Sequence, residues 1–355
     1  MTWTFRRLCV TGFAVALLTP ASSSGQVEIR ARAATVTIGG RLHVQAITSS
    51  AGAPSPDVLL RRARVSVGIE VTDFFEARLQ PDFADDGEVA LQDGYLSLNF
   101  DPAFEVAVGQ MKRPSEIFGT HSSTQLSVIE RDGHVPGAGD CTGVGGVCTL
   151  SQFTQELGHS GRDIGLWIAG SRGGFSYTAA VTNGPGMNVR DENHAKSYSG
   201  RGTWALASEL EIGGFIGLHD YPGVNGETEY GAAYGVDLDW GDWYDGFHLL
   251  AAVVGGDNWM ALDALGGAAQ FLTGQVIATY QIPVGSDRWT SVEPLARISW
   301  ADPDTDTPGD DAWLFTPGLM LYVSGRNRIG ANLDVYAPER GDTELSLKVQ
   351  AYLYF

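Results

Sequence analysis

Chemistry that makes or breaks bonds needs reactive groups side by side, and this sequence does not bring them together. Its seven histidines, His43, His121, His134, His159, His194, His219 and His248, are scattered along the chain. A nucleophilic centre pairs a serine, cysteine or acid with a histidine in space. The adjacent pair His159-Ser160 is a neighbour along the backbone, which is not how such partners meet. No catalytic residue is assigned. In CTGVGGVC, Gly143, Gly145 and Gly146 are not followed by Gly-Lys-Ser/Thr, so no phosphate-cradling loop is expected there. Its cysteines, Cys141 and Cys148, are too few for a local zinc site and are expected to form a disulfide in an oxidising compartment. The segment Asp302 to Asp311 (DPDTDTPGDD) could offer oxygens to calcium but lacks the distal glutamate of an EF-hand. A solvated acidic loop is the expectation, with calcium as the alternative. No cofactor is expected.

What remains is a set of basic residues at alternate positions in apolar stretches. Arg41 and His43 interleave with Leu42 and Val44; Arg62 and Arg64 with Ala63 and Val65; Arg78 with Ala77 and Leu79. Period-two alternation places the two sets on opposite faces of a strand. If the apolar faces meet lipid, where a charge costs a few kcal/mol at the midplane, then Arg41, Arg62, Arg64 and Arg78 project into a polar interior. The same argument turns Arg297, Arg326, Arg328 and Lys348 inward, together with the acids Glu70, Glu76, Asp93, Glu105, Asp163 and Asp334.

The chain ends support a membrane reading. Arg6-Arg7, the apolar run Leu8 to Leu18 and the small residues to Gly25 have the three parts of a secretory signal. The run is too short to span a bilayer as a helix, which needs about 20 residues. The expected organisation is a signal peptide over 1–25 and a single outer-membrane domain over 26–355. The last strand carries Leu345, Leu347, Val349, Ala351, Leu353 and Phe355 on one face. An apolar face complete to a terminal aromatic resembles the carboxyl-terminal assembly signal of outer-membrane barrels. The formal charge is −19, and losing Arg6 and Arg7 makes it −19 − 2 = −21. Such acidity disfavours nucleic acid as a partner.

Alternating segments recur from Thr35 to Phe355, about 16 of them, an even number as antiparallel closure requires. Tight turns are expected near Thr72-Asp73, Asp101-Pro102, Arg172-Gly173, Ile212-Gly213, Gly241-Asp242, Val284-Gly285 and Ser324-Gly325. The intervening connections are mostly longer. This short-long alternation matches periplasmic turns and outside loops. The fold class is therefore all-β, a transmembrane antiparallel barrel enclosing water. The segment 114–160 lacks alternation and is long enough to be functional. It is expected to fold inward and narrow the lumen, stiffened by Cys141 and Cys148.

A series of motifs through about residue 205 then resembles a known family. It comprises Gly40 to Gln45 (GRLHVQ), Leu60 to Arg64 (LRRAR), Ala77 to Phe83 (ARLQPDF), Leu91 to Leu96 (LQDGYL), Val108 to Pro114 (VGQMKRP), Ile129 to Arg131 (IER), Gly161 to Leu166 (GRDIGL) and Thr182 to Pro185 (TNGP). In this order and spacing they resemble the phosphate-selective porins of the O and P type. The resemblance implies a sixteen-stranded homotrimeric porin in the outer membrane of a Gram-negative bacterium. Such a porin passes small anions, phosphate above all, past a ladder of arginines. Motif by motif it implies pore-lining roles for Arg41, Arg61, Arg62 and Asp93, and for Lys112 and Arg131 around the constriction loop. Alternation sends Arg62 inward, so Arg61 must lie near the rim or beside a bulge. The composition departs from the family pattern, with 23 basic residues against 42 acids. A general or cation-preferring porin is one alternative; a non-transporting structural or enzymatic barrel is another.

Overall fold

The protein is described by a computed structural model over residues 27–30, 33–52, 56–85, 88–139, 141–191, 193–223, 225–262 and 267–355. The expected signal segment, 1–25, lies outside the described residues. A short strand β1 (Val27–Arg30) precedes β2 (Thr35–Ser49), β3 (Asp57–Thr72), β4 (Phe75–Asp85), β5 (Glu88–Asp101) and β6 (Phe104–Lys112). Two short helices follow, α1 (Ile117–Thr120) and α2 (Leu150–Glu156). The chain continues with β7 (Arg162–Arg172), β8 (Phe175–Thr182), β9 (Ser197–Ala207), β10 (Leu210–Pro222), β11 (Thr228–Asp242) and β12 (Asp245–Leu262). It ends with β13 (Ala268–Pro283), β14 (Ser291–Asp302), β15 (Ala312–Ser324), β16 (Asn327–Pro338) and β17 (Glu344–Tyr354). Strands β2 to β17 form a closed antiparallel barrel of 16 strands, each paired with its sequence neighbours. No described helix is long and apolar enough to cross a membrane.

Side-chain burial is inverted relative to a water-soluble domain. Along β17, Ser346, Lys348 and Gln350 are buried while Leu345, Leu347, Val349 and Leu353 are exposed. Along β2, Arg41, His43 and Gln45 are buried and Leu42 and Val44 exposed. Such an exterior is stable only in an apolar solvent, and in that solvent a sheet must close so that no edge is left unbonded. The closing seam pairs β17 with β2 from Ser346 opposite Ser49 to Tyr354 opposite Arg41. It is finished by reciprocal bonds between Gly40 and Phe355, Gly40 N donating to Phe355 O at 2.7 Å and Phe355 N to Gly40 O at 3.1 Å. Beyond the end of β17, β1 takes over the same edge, pairing Val27–Arg30 with Thr35–Ile38.

Most turns at the N-terminal end of the barrel are of two residues. Gly173 and Gly174 both have positive φ, 61° and 84°, the backbone that tight hairpins with right-handed twist require. Two expectations are corrected. The turn expected at Ile212-Gly213 lies at Ser208-Glu209. Gly213 instead sits inside β10, where a side chain would collide with Asp237 and the Arg201 guanidinium. Its glycine clears space for an ion pair and makes no turn. The tight turn expected near Val284-Gly285 is a seven-residue connection, 284–290, and the next strand starts at Ser291.

At the seam, a Cβ on Gly40 would meet the Phe355 ring and the Arg64 carbonyl. Overpacking of this kind costs about 1–3 kcal/mol. Gly40→Ala is expected to lower the fraction of heat-modifiable, folded barrel on refolding into detergent, read by gel mobility. Gly68→Ala, with nothing nearer than 3.9 Å, should refold like the parent.

Candidate functional site

The long connection between β6 and β7, residues 113–161, enters the lumen. Its two helices begin on local caps. Glu116 accepts from Gly119 N at 2.6 Å, and Thr149 Oγ1 accepts from Gln152 N at 3.3 Å. Cys141 and Cys148 are joined by a disulfide. The apolar side of the segment, with Ile117, Ile129, Leu150, Phe153 and Leu157, packs on inward-facing Leu250, Val254, Phe271, Leu295, Leu314 and Met320. Phe153 stacks on Phe271 with ring centroids 5.0 Å apart. The inner wall thus carries an apolar patch under the loop. Alternation alone assigned apolar residues to lipid, and this second apolar face was missed. Its signal was present in β12, where Leu249 to Val254 (LLAAVV) is apolar on both faces, the mark of a strand covered on both sides.

A loop inside a barrel brings main-chain carbonyls that no strand can satisfy, and each one left unpaired costs about 1–3 kcal/mol. Wall side chains donate to them. Lys112 Nζ reaches the carbonyls of Gly119, Thr120 and His121 at 2.7, 3.2 and 2.5 Å. Arg201 Nη1 donates to Ser115 O at 3.0 Å, and Arg328 Nη2 to Leu126 O at 2.9 Å. Arg297 Nη1 holds Glu130 O at 2.8 Å and Arg131 O at 3.1 Å. Tyr244 OH, Asn258 Nδ2 and Trp259 Nε1 serve Thr124, Thr142 and Leu157 in the same way. Arg297 and Arg328, expected to point inward, do so, and each gives one terminal nitrogen to the loop, while the other Arg297 donors go to Thr316 and Asp334 on the wall. Lys348 is buried against Asp334, which Arg297 also contacts at 2.9 Å.

Arg41, Arg61, Arg62, Arg64 and Arg78 stand together on β2–β4, with Arg162 nearby on β7. Register orders them along the barrel. Arg78 is level with Gly68, Arg41 with Arg64, and His43 with Arg62. At about 3.3 Å per residue, Arg64 lies some ~13 Å beyond the Arg78 level and Arg62 ~7 Å further toward the long-loop end. Arg41 donates to Gln80 Oε1 at 2.7 Å and approaches Ser122 Oγ at 3.4 Å. Arg64 bonds Asp82 at 2.6 Å. Asp93 lies between Arg162 at 2.7 Å and Arg78 at 3.8 Å. Arg162 was not singled out from the sequence, although it lies in the quoted Gly161 to Leu166 motif. Arg131 Nη2 donates to His121 O at 2.6 Å, beside the Lys112 contacts. Arg61 occupies a β-bulge: Arg62 pairs with His43 and Leu60 with Val44, leaving Arg61 without an opposite residue. The extra residue lets Arg61 and Arg62 both reach Glu130, Arg61 at 2.7 Å and Arg62 at 3.8 Å.

Below the loop lies a vestibule of about 490 Å³, lined on one side by Arg41, Arg78, Lys112 and Arg162 and nearer the N-terminal mouth by Glu70, Glu76 and Glu211. Arg326 also lines it, 3.2 Å from Thr124 Oγ1. At the opposite end, two carboxylates of the acidic loop turn to their own backbone, and Asp311 accepts from Trp300 Nε1 at 2.8 Å. Asp302 accepts from Asp304 N and Asp304 from Asp306 N, both at 3.2 Å. Burial and the Asp302 carboxylate push Asp310 up to about 6.

A closed, inside-out barrel narrowed by an infolded loop defines a channel of the outer-membrane type. The profile of the family described as phosphate-selective porin O and P matches residues 37–217. The chain belongs to that family, and it is an outer-membrane porin. Its fold is similar to that of solved barrels at low identity. The outer membrane channel DcaP of Acinetobacter baumannii is 13% identical with a TM-score of 0.64, covering 92% of this chain and 99% of its own. OmpT of Vibrio cholerae, an outer-membrane protein, is 13% identical with a TM-score of 0.61, at 93% and 100% coverage. OmpF of Salmonella typhi is 11% identical with a TM-score of 0.60, at 93% and 100% coverage. No curated protein matches the sequence.

Arg297 serves two loop carbonyls at once. Arg297→Met keeps the bulk and removes the donors, so both carbonyls lose their partner. The loop is expected to loosen, with single-channel conductance rising and current noise increasing in a planar bilayer.

Proposed function

We propose that the protein is a passive, anion-preferring porin whose solutes are phosphate and related small oxyanions, working as a homotrimer after signal-peptide cleavage. The observation that carries this reading is the one-sided ladder of Arg78, Arg41, Arg64 and Arg62 on β2–β4, with Asp93, Asp82 and Glu130 as its nearest carboxylates. Guanidinium forks replace the water of an oxyanion with charge-assisted donors. Several such steps in series let an anion enter one site and leave for the next. Asp93 orients Arg78 and Arg162 and offsets part of their charge, which keeps each step shallow. Lys112 and Arg131 act by holding the end of α1 at the narrow zone. The trimer is supported by a relative: OmpT of Vibrio cholerae is described in a trimer form.

A second reading has its own observation. Glu70, Glu76 and Glu211 line the vestibule, and the loop 302–311 is acidic. Carboxylates at both mouths favour cations. Exposed charges are screened within about 10 Å at ordinary ionic strength, so the ladder, deeper in the barrel, decides the sign.

Reversal potential across a KCl gradient tests this directly, and anion preference is the expected result. At 4 Å, one charge removed in a watery lumen is worth about 1 kcal/mol, so Arg78→Gln should lower the anion-to-cation permeability ratio about fivefold. Cation preference in the parent protein would establish the second reading instead.

A further inference from the structure

The infolded loop carries a carboxylate into the guanidinium ladder. Glu130 is buried, and Arg61 grips it with both arms of its fork, Nε to Oε1 at 2.7 Å and Nη2 to Oε2 at 3.1 Å. The bulge in β3 exists at this point and supplies the second inward arginine. Arg62 approaches from the other side with Nη2 3.8 Å from Oε2. It is only 7% exposed, and its Nε and Nη1 are buried without a partner. Two guanidinium groups, one engaged and one with spare donors, offer more than a two-oxygen, singly charged carboxylate can use. A tetrahedral oxyanion has the oxygens and charge to use them.

We propose that Glu130 is a tethered competitor at this arginine pair, a specificity-determining residue that sets how tightly a permeating phosphate-class anion is held. The inference rests on the anion-porin reading above. A carboxylate on a short tether is present at an effective concentration of the order of millimolar. If it holds the site for about nine-tenths of the time, the apparent affinity of an incoming anion falls about tenfold. The anion displaces the carboxylate, and the returning carboxylate speeds its release to the next step. A merely structural role is the rival explanation. The backbone argues against it, because Ile129 N bonds Asn332 Oδ1 at 2.7 Å and Glu130 O accepts from Arg297 at 2.8 Å. The loop is anchored here whatever the Glu130 side chain does.

The test titrates inorganic phosphate as a blocker of chloride current through the full-length protein in planar bilayers. Glu130→Gln keeps the shape and removes the charge. Its half-blocking phosphate concentration is expected about tenfold below the parent value, and adding Arg61→Gln should abolish the gain. An unchanged half-block in Glu130→Gln, or a gain that survives Arg61→Gln, overturns the proposal. If Glu130→Gln does not insert, Glu130→Asp, too short to span the fork, must block at least threefold more tightly, and no change there is equally fatal. A parent that prefers cations and shows no phosphate block removes the anion-porin reading, and this inference falls with it. An anion-preferring, phosphate-blocked parent with an unaltered Glu130→Gln removes this inference alone.

Discussion

The main-chain carbonyls of the infolded segment depend on the barrel wall. In a β-barrel every strand amide is satisfied by its neighbours, so the wall itself asks nothing of the lumen. A loop of nearly fifty residues inside that wall asks a great deal. Its backbone runs without a ladder, and much of it is shut away from water. Arg201, Arg297, Arg328 and Lys112 answer with charged donors from four different strands. Charge-assisted bonds to carbonyls are stronger than neutral ones, and they let one guanidinium serve two or three acceptors. Removing the donors strands the carbonyls, so the loop position and the wall chemistry are one problem.

The circumference is divided accordingly. From β10 round to β17 the inner face is apolar or occupied, with Phe153 on Phe271 and Arg328 stacked 4.4 Å above the Tyr352 ring. From β2 to β7 the inner face keeps its basic residues turned to the vestibule and the narrow zone. A channel narrowed from one side has one rigid, greasy contact and one polar, hydrated path. Packing fixes the first and electrostatics governs the second. The narrow zone has the basic ladder on one side and loop carbonyls already paired on the other. Paired carbonyls present less negative potential to the lumen than free ones would.

Net charge is a poor guide to such a path. The chain carries far more acids than bases. Yet Glu70, Glu76 and Glu211 sit at one mouth and the aspartates of 302–311 in a loop at the other. The bases are concentrated between them. Charges at the mouths are bathed in electrolyte, whereas those inside face a narrow water column against a low-dielectric wall, where each counts for more.

The barrel was legible in the sequence because its cause is local. Alternation with period two shows in any ten residues, and the inward set of β2, β3 and β17 follows from the cost of charge in lipid without knowing any partner strand. That Arg61 sits near the rim or beside a bulge was legible for the same reason, since two consecutive arginines cannot both obey a strict alternation; the strand register decides for the bulge. The loop's inward course was legible in outline from its length and missing periodicity. What it touches was not. That Arg297 and Arg328 hold carbonyls near residues 126–131, that β12 to β15 set an apolar patch of Leu250, Val254, Phe271, Leu295, Leu314 and Met320 under the loop, and that Gly213 makes room for Arg201 and Asp237 are contacts between residues far apart in the chain. They are set by which strands closure brings opposite the loop. Only the tertiary structure decides them, because a side chain's direction is a property of its own strand, whereas its partner is a property of the whole cylinder.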